Sequence, residues 1–487
     1  MVFRFDRIPS IISNFSRQTN ETNIYSNLNL SVLDLPSVIE NKIYMLAKTV
    51  SRKKDIDRIG AYIAKKIAAR LCVEVPRVLP SRLNRQRLIE NLHSKMAYSS
   101  KIHDSNEEIS ETNVIKRSND EEALSQRLLS DLEDKRHQIN TISYTPHVAI
   151  AHTIHFFPGQ YAVFVRILTE IKLRTNFSGS RILIHQAGSG ASLAALYSVF
   201  KQDFKEIVVI EPSKNLRDIS SFLMKDLLHL DYRQNIYYED KNYDMIILSY
   251  SLINVPGYTN LWNKLNSNGM MVIVEIGTPT GFRMIHSIRE LFIKDLKKGS
   301  FHFVAPCPHE GICPLAQTGM DWCHFSQKIK RIPYHIYKKG SKANNIDDEK
   351  FSYLIVRKST GPRDTFESQF DTKSIMERSY FWPRIIFPTM KRGKHVLLDV
   401  CTRRGNFERL VVTKSSPESW GYKFGRKGLW GDLWPYPKRL NRPEGRGYTP
   451  RKVLEYLRKS RRLAQSIDNI GLCKDQYERD QIENYKS

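Results

Sequence analysis

"RILIHQAGSGAS", residues 181–192, decides the fold. Ile182, Leu183 and Ile184 form a short unbroken apolar run, the pattern of a strand buried on both faces. Gly188 and Gly190 then supply a tight turn, and a helical run opens at Ala191. Three more runs of the same kind follow: "KEIVVIEPS" (205–213), "NYDMIILSYSLIN" (242–254) and "GMMVIVEIGTP" (269–279), with helical segments between them. Strands alternating with helices predict an α/β fold with a parallel, doubly wound sheet over roughly 180–300.

The turn itself has a chemistry. Glycine allows a ligand to approach the backbone closely, and the helix that follows offers unpaired amides. Glu211 ends the next strand, where a carboxylate can accept both hydroxyls of a ribose. Gln186, Gly188, Gly190 and Glu211 together resemble the S-adenosylmethionine site of class I methyltransferases, whose first motif usually runs acid-x-G-x-G-x-G. Here Gln186 replaces the acid and Ser192 the third glycine, so the match is degenerate; a tight turn needs glycine with or without a ligand. Where amino-methylating enzymes carry an Asn/Asp-Pro-Pro-aromatic cluster, this chain has "LSYSLINVPG". No catalytic residue is assigned.

Around this centre the 487 residues, 41% of them apolar, divide into further regions. Residues 1–30 are Arg- and Ser-rich with interleaved Phe and Ile, as in an organellar targeting helix, although Asp6 and Glu21 break the acid-poor rule. Residues 31–140 contain an amphipathic helix, "IGAYIAKKIAARLC" (59–72), and a charged linker. The methyltransferase-like domain spans 141–300 and opens with "YTPHVAIAHTIHFFPGQYAVFVRILTEIKLR" (144–174), helical after Pro146 and again after Pro158. A cysteine segment (301–345), a small β-rich domain (346–440) and a basic extension (441–487) complete the chain. No apolar run approaches the length of a membrane span.

With 76 Lys and Arg against 51 Asp and Glu, a formal charge of +25, the chain suits a polyanionic partner, nucleic acid above all. The C-terminal stretch concentrates that charge. Tyr422, Phe424, Trp430, Trp434 and Tyr436 stand among Lys423, Arg426, Lys427, Lys438, Arg439, Arg442, Arg446, Arg451 and Lys452, in a run read as mostly extended before a cationic helix. The cations suit phosphates and exposed rings would suit unpaired bases; Trp430 and Trp434 are expected in the core.

The segment "PCPHEGICPLAQTGMDWCHF" (306–325) carries Cys307, Cys313 and Cys323, half of the six cysteines in the chain. Scattered cysteines are by default packing residues. Here prolines at 306, 308 and 314 fix extended backbone and Gly311 permits a reversal, a design that turns thiols inward. Cys401, in "VLLDVCTRRG", is the best fourth ligand, and His309 and His324 are alternatives for zinc. Zinc knuckles space their ligands C-x₂₋₄-C, whereas the wider gaps here fit an iron–sulfur cluster at least as well. Cys72 and Cys473 read as bystanders.

"CPHEGICP", "WCHFSQ", "DVCTRRGNFERLVVTK" and "WGDLWP", with "YAVFVRILTEI", "LSYSLIN" and "IVEIGTPTGFRMI" upstream, resemble the methyltransferase-like Rsm-type family of mitochondrial small-ribosomal-subunit proteins and assembly factors, over about 144–435. The resemblance implies a matrix protein, monomeric within the ribosomal particle, that binds small-subunit rRNA and ribosomal proteins. It also implies a [4Fe–4S] cluster on Cys307, Cys313, Cys323 and Cys401, acting as a structural staple. The alternative is an active S-adenosylmethionine-dependent rRNA methyltransferase.

Overall fold

The computed structural model describes residues 22–50, 52–73 and 142–435, the last without 202–203, 226, 234–240, 253–257, 298, 318–320, 337–344, 360, 362–373 and 415–418. In chain order the N-terminal part comprises Thr22–Ser26 (α1), Val32–Leu33 (β1), Ser37–Lys48 (α2) and Lys53–Val73 (α3). The central part runs Pro146–Thr175 (α4), Arg181–His185 (β2), Ala191–Phe200 (α5), Glu206–Ile210 (β3), Lys214–Met224 (α6), Asp231–Arg233 (β4) and Tyr243–Ser249 (β5). It continues with Tyr258–Asn263 (α7), Leu265–Ile276 (β6), Pro279–Asp295 (α8), His302–Ala305 (β7), Pro314–Gln317 (α9), Phe325–Lys330 (β8), Pro333–Ile336 (α10) and Ile346–Arg357 (β9). A C-terminal module holds Ile375–Arg378 (α11), Arg384–Ile385 (β10), Met390–Lys391 (β11), His395–Cys401 (β12), Phe407–Thr413 (β13) and Ser419–Lys427 (α12).

The large sheet has the order β1-β8-β9-β6-β5-β2-β3-β4, with β7 also on β9. From β4 to β6 every pairing is parallel. Helices cover both faces: α2, α4, α5 and α6 pack on one, α7 and α8 on the other. This is the doubly wound α/β architecture, and the strand order reverses between β2 and β5, which opens a crevice at their C-terminal ends.

Three expectations for residues 144–357 are corrected. "FSYLIVRKS" belongs to β9, which lies antiparallel to β6 inside the large sheet and so extends it beyond residue 300 rather than starting a separate β-rich domain at 346. The cysteine segment is likewise no independent insert, because its flanking strands β7 and β8 both pair with β9. The 144–174 region forms one continuous 30-residue helix through Pro158. Ile154, Phe157, Tyr161 and Ala162 are buried on either side of that proline, and their packing outweighs its missing amide hydrogen bond.

The N-terminal part closes the far edge of the sheet, where β1 runs parallel to β8. The Leu28 and Asn29 amides donate to the Asp432 carboxylate at 2.9 and 2.7 Å, and the Leu433 amide donates to the Ser26 carbonyl. In the C-terminal module a four-stranded antiparallel sheet forms around β12, and α12 packs on it through Tyr422 and Phe424. Residues 419–427 are helical, not extended as the sequence suggested.

Candidate metal centre

The cysteines meet. Cys307, Cys313, Cys323 and Cys401 line one cavity of about 40 Å³, together with Pro306, His309, Phe282, Ile386, Arg289 and Arg384. A water needs only about 10–15 Å³ of such space, so the cavity has room for more than one small atom. All four thiols are free of disulfides; Cys313 and Cys401 are buried. Cys307 follows β7, Cys313 immediately precedes α9, Cys323 precedes β8 and Cys401 ends β12. The site therefore joins the large sheet to the C-terminal module.

Each sulfur is positioned by its own local structure. The amides of Leu315 and Ala316 at the start of α9 donate to the Cys313 sulfur. Ser352 of β9 donates to the Cys323 carbonyl at 2.9 Å. Cys401 Sγ lies 3.3 Å from His309 Nε2. The register Arg384↔Cys401 fixes that end of β12 against β10.

Burial and mutual repulsion both act against ionising the thiols here. Burial pushes the Cys313 thiol up to about 11, and charge on Cys307 adds to the rise. Burial likewise raises Cys401 well above the usual thiol range, with further contributions from Cys307, Cys313 and Cys323. Four thiolates cannot share this space without a compensating positive charge. Arg289, 2% exposed on α8, supplies part of it: it hydrogen-bonds Cys307 and donates to the Gly311 carbonyl at 2.5 Å and the His309 carbonyl at 3.3 Å. Its guanidinium thus threads the loop that carries Cys307 and Cys313.

Arg384 forms the other wall. Its Nε donates to the Pro306 carbonyl at 3.1 Å and one terminal nitrogen to the Gly431 carbonyl at 2.8 Å, while the other meets Glu170 Oε1 at 2.5 Å. Arg174 meets the same oxygen at 2.6 Å, and Tyr353 donates to Oε2 at 2.8 Å. Burial would raise the Glu170 pKa, yet Arg384 and Arg174 overcome it and hold the group at about 2. This buried network ties α4, the residue before Cys307 and the C-terminal module together. Arg289 and Arg384 were not legible in the sequence.

Among the described residues, no three His, Cys, Asp or Glu side chains stand as a group that could hold a single metal ion. The thiols ring a cavity rather than closing on a point. One zinc with sulfurs at about 2.3 Å would require them to close in. A multi-iron cluster spreads its ligands over a wider space.

The strand-end crevice is arranged differently from a bare nucleotide site. Gly188 and Gly190 adopt φ of 58° and 95°. A Cβ on Gly190 would lie 2.6 Å from Ser220 Oγ, so this glycine is required by packing between α5 and α6. Glu211 is buried and its carboxylate accepts the Gly188 amide at 2.9 Å and the Ser213 amide at 3.0 Å. Burial pushes its pKa up against the pull of those two bonds. Gln186 takes a left-handed φ of 55° where the strand turns. The structure thus gathers the four sequence-derived residues at the adjacent ends of β2 and β3, with the Ser189 and Ser192 hydroxyls buried beside them and, among the described residues, lacking hydrogen-bond partners.

Of the cations singled out for RNA, Lys423, Arg426 and Lys427 are exposed on α12. Lys438, Arg439, Arg442, Arg446, Arg451 and Lys452 lie outside the described residues, as do Tyr436 and Cys473. Tyr422, Phe424 and Trp434 are buried, so these rings support α12 instead of meeting bases. Trp430 is partly buried and donates to the Ile386 carbonyl at 2.9 Å.

The family model described as mitochondrial small ribosomal subunit Rsm22 matches residues 146–435, which hold all four thiols and the whole crevice. The chain belongs to the Rsm22 family. Among similar proteins, the human mitochondrial ribosome assembly protein METTL17 is 26% identical over 337 residues, covering 65% of this chain and 68% of its own. The mitochondrial ribosome assembly protein RSM22 of Saccharomyces cerevisiae is 24% identical over 420 residues, covering 58% and 66%. The mitochondrial Rsm22-cox11 tandem protein 2 of Schizosaccharomyces pombe is 28% identical over 339 residues, and this Rsm22-family chain spans 44% of its length. Similar solved structures include the plantazolicin methyltransferase BpumL, at 11% identity and a TM-score of 0.27 over 42% of this chain and 86% of that one. Among the described residues no helix is long and apolar enough to cross a membrane.

Proposed function

We propose that this Rsm22-family chain is a mitochondrial ribosome assembly protein that binds small-subunit rRNA and is held in shape by a [4Fe–4S] cluster on Cys307, Cys313, Cys323 and Cys401. The observation that carries the reading is the convergence of four thiols, one of them from a separate antiparallel module, on a single cavity walled by two guanidinium groups. A ring of sulfurs around a cavity suits a multi-atom centre better than one zinc ion. When bound, the cluster would supply cross-linking between the large sheet and β12. Arg289 and Arg384 would offset its negative charge, and the Leu315 and Ala316 amides would favour the Cys313 thiolate. The ribosome and the mitochondrion come from the relatives, METTL17 and RSM22, which are mitochondrial ribosome assembly proteins.

The test is anaerobic purification followed by a visible spectrum, iron and sulfide analysis and RNA binding. Iron and sulfide in a near 1:1 ratio are expected, and Cys401→Ser should lose the visible absorbance and RNA affinity together. Stoichiometric zinc without iron would overturn the cluster, and full RNA affinity in the metal-free variant would overturn its structural role.

A second reading, S-adenosylmethionine binding with or without methyl transfer to rRNA, is favoured by Glu211, poised at the strand end beside the unpartnered Ser189 and Ser192 hydroxyls. Calorimetry with S-adenosylmethionine on metal-loaded protein decides it; no heat at millimolar ligand would remove the donor from the scheme.

A further inference from the structure

The cluster reading leaves β12 with one free end. Cys401 closes this strand on the cavity side, and the turn "KRGK" (391–394) opens it on the other. That turn is fastened to α12: the Tyr422 hydroxyl donates to the Gly393 carbonyl and Arg426 to the Arg392 carbonyl, both at 3.3 Å. The Lys414 amide, just past β13, donates to the Lys394 carbonyl at 2.8 Å. Three segments of the stretch 391–427 thereby present exposed Lys391, Arg392, Lys394, Lys414, Lys423 and Lys427 on one end of the module.

No carboxylate of the module's own described residues balances this charge. Asp399 is clamped by Arg409 at 2.6 and 2.7 Å, Asp432 is buried under backbone amides, and Glu377 caps its own helix by accepting the Ser374 amide and hydroxyl at 3.0 Å. Glu408 pairs in register with Val400, at the Cys401 end of β12. An exposed face of one sign, held in place by hydrogen bonds to its main-chain carbonyls, is what a phosphate backbone selects.

We propose that the 391–394 turn, Lys414 and the exposed side of α12 form a phosphate-binding platform for RNA, a surface wider than the helix cations alone. This rests on the RNA-binding reading above and names where the contact is made. Its partner is the ribose-phosphate backbone, so the platform positions RNA without reading its sequence.

The full-length, metal-loaded protein with Lys391, Arg392 and Lys394 all changed to Ala tests it against a labelled RNA hairpin across a salt series. The expected result is at least about tenfold weaker binding and a salt slope lower by about 2–3, since each phosphate contact contributes roughly 0.7–0.9. Iron content and melting temperature should stay at wild-type values. Unchanged affinity and slope overturn the platform, as does competition by polyglutamate as effective as by RNA, which would assign the face to an acidic polypeptide. Should the triple variant lose iron or melt early, Lys423→Ala with Lys427→Ala reads the same surface from the helix side, and wild-type affinity there overturns the proposal. A wild-type protein without RNA affinity would instead refute the parent reading.

Discussion

Replacing Glu170 with Gln should destabilise the fold by about 3–4 kcal/mol and loosen the thiol site with it. The carboxylate sits between Arg174 at 2.6 Å and Arg384 at 2.5 Å, all three being about 2% exposed or less. Breaking a buried pair by removing one partner leaves an uncompensated charge and costs about 3–5 kcal/mol. Linkage gives a similar size: holding the pKa at about 2 against an ordinary 4.5 corresponds to about 3 kcal/mol. Because the folded pKa is depressed, that contribution is fully present above about pH 4.5 and is lost as pH falls toward 2. Urea unfolding at pH 7 should show a lower midpoint with an unchanged slope, and the gap to wild type should narrow between pH 4.5 and 2. Arg384, freed from Glu170, also holds the Pro306 carbonyl, so with the proposed cluster on the four thiols iron loading should fall in the same variant. A loss below about 1 kcal/mol at pH 7 would show that the triad does not bind the two modules together and would refute this account.

Arg289→Gln keeps the four cysteines but removes a donor to Cys307 and the clamp on the Gly311 carbonyl; if the proposed cluster is bound there, a chelator should strip its iron about 10–100-fold faster, with Arg289→Lys intermediate. Equal stripping rates would make Arg289 a packing residue only. Gly190→Ala should cost more stability than Gly188→Ala, by about 1 kcal/mol or more, because both require positive φ but only the first drives a Cβ into Ser220. Pairing Gly190→Ala with Ser220→Ala should recover part of that loss in thermal melts; no recovery would place the whole cost in the backbone.

The parallel core was legible because β2, β3, β5 and the second half of β6 are apolar runs closed by turn residues. The thiols could be grouped because proline and glycine around Cys307 and Cys313 announced a shaped loop. Partnership was not legible. The run in β9 reads alike whether it completes the large sheet or begins another, since alternation encodes burial and not the neighbour that supplies it. β1 is two residues long and has no pattern to read. Residues 419–427 hold two glycines in nine positions, which argues against a helix until Tyr422 and Phe424 find the β12 core. Arg289 sits among other cations on α8, and only the fold turns it toward the sulfurs.

The clasp between Asp432 and the amides of Leu28 and Asn29 spans 404 and 403 positions of sequence. A polypeptide made from its amino end must therefore keep its earliest folded turns waiting until nearly the whole body has been synthesised. Closure over such a span comes late and slowly. During that interval the two-residue pairing of β1 on the outer edge of β8 must hold without the clasp beside it, which makes this edge the weakest seam of the sheet while the chain is completed.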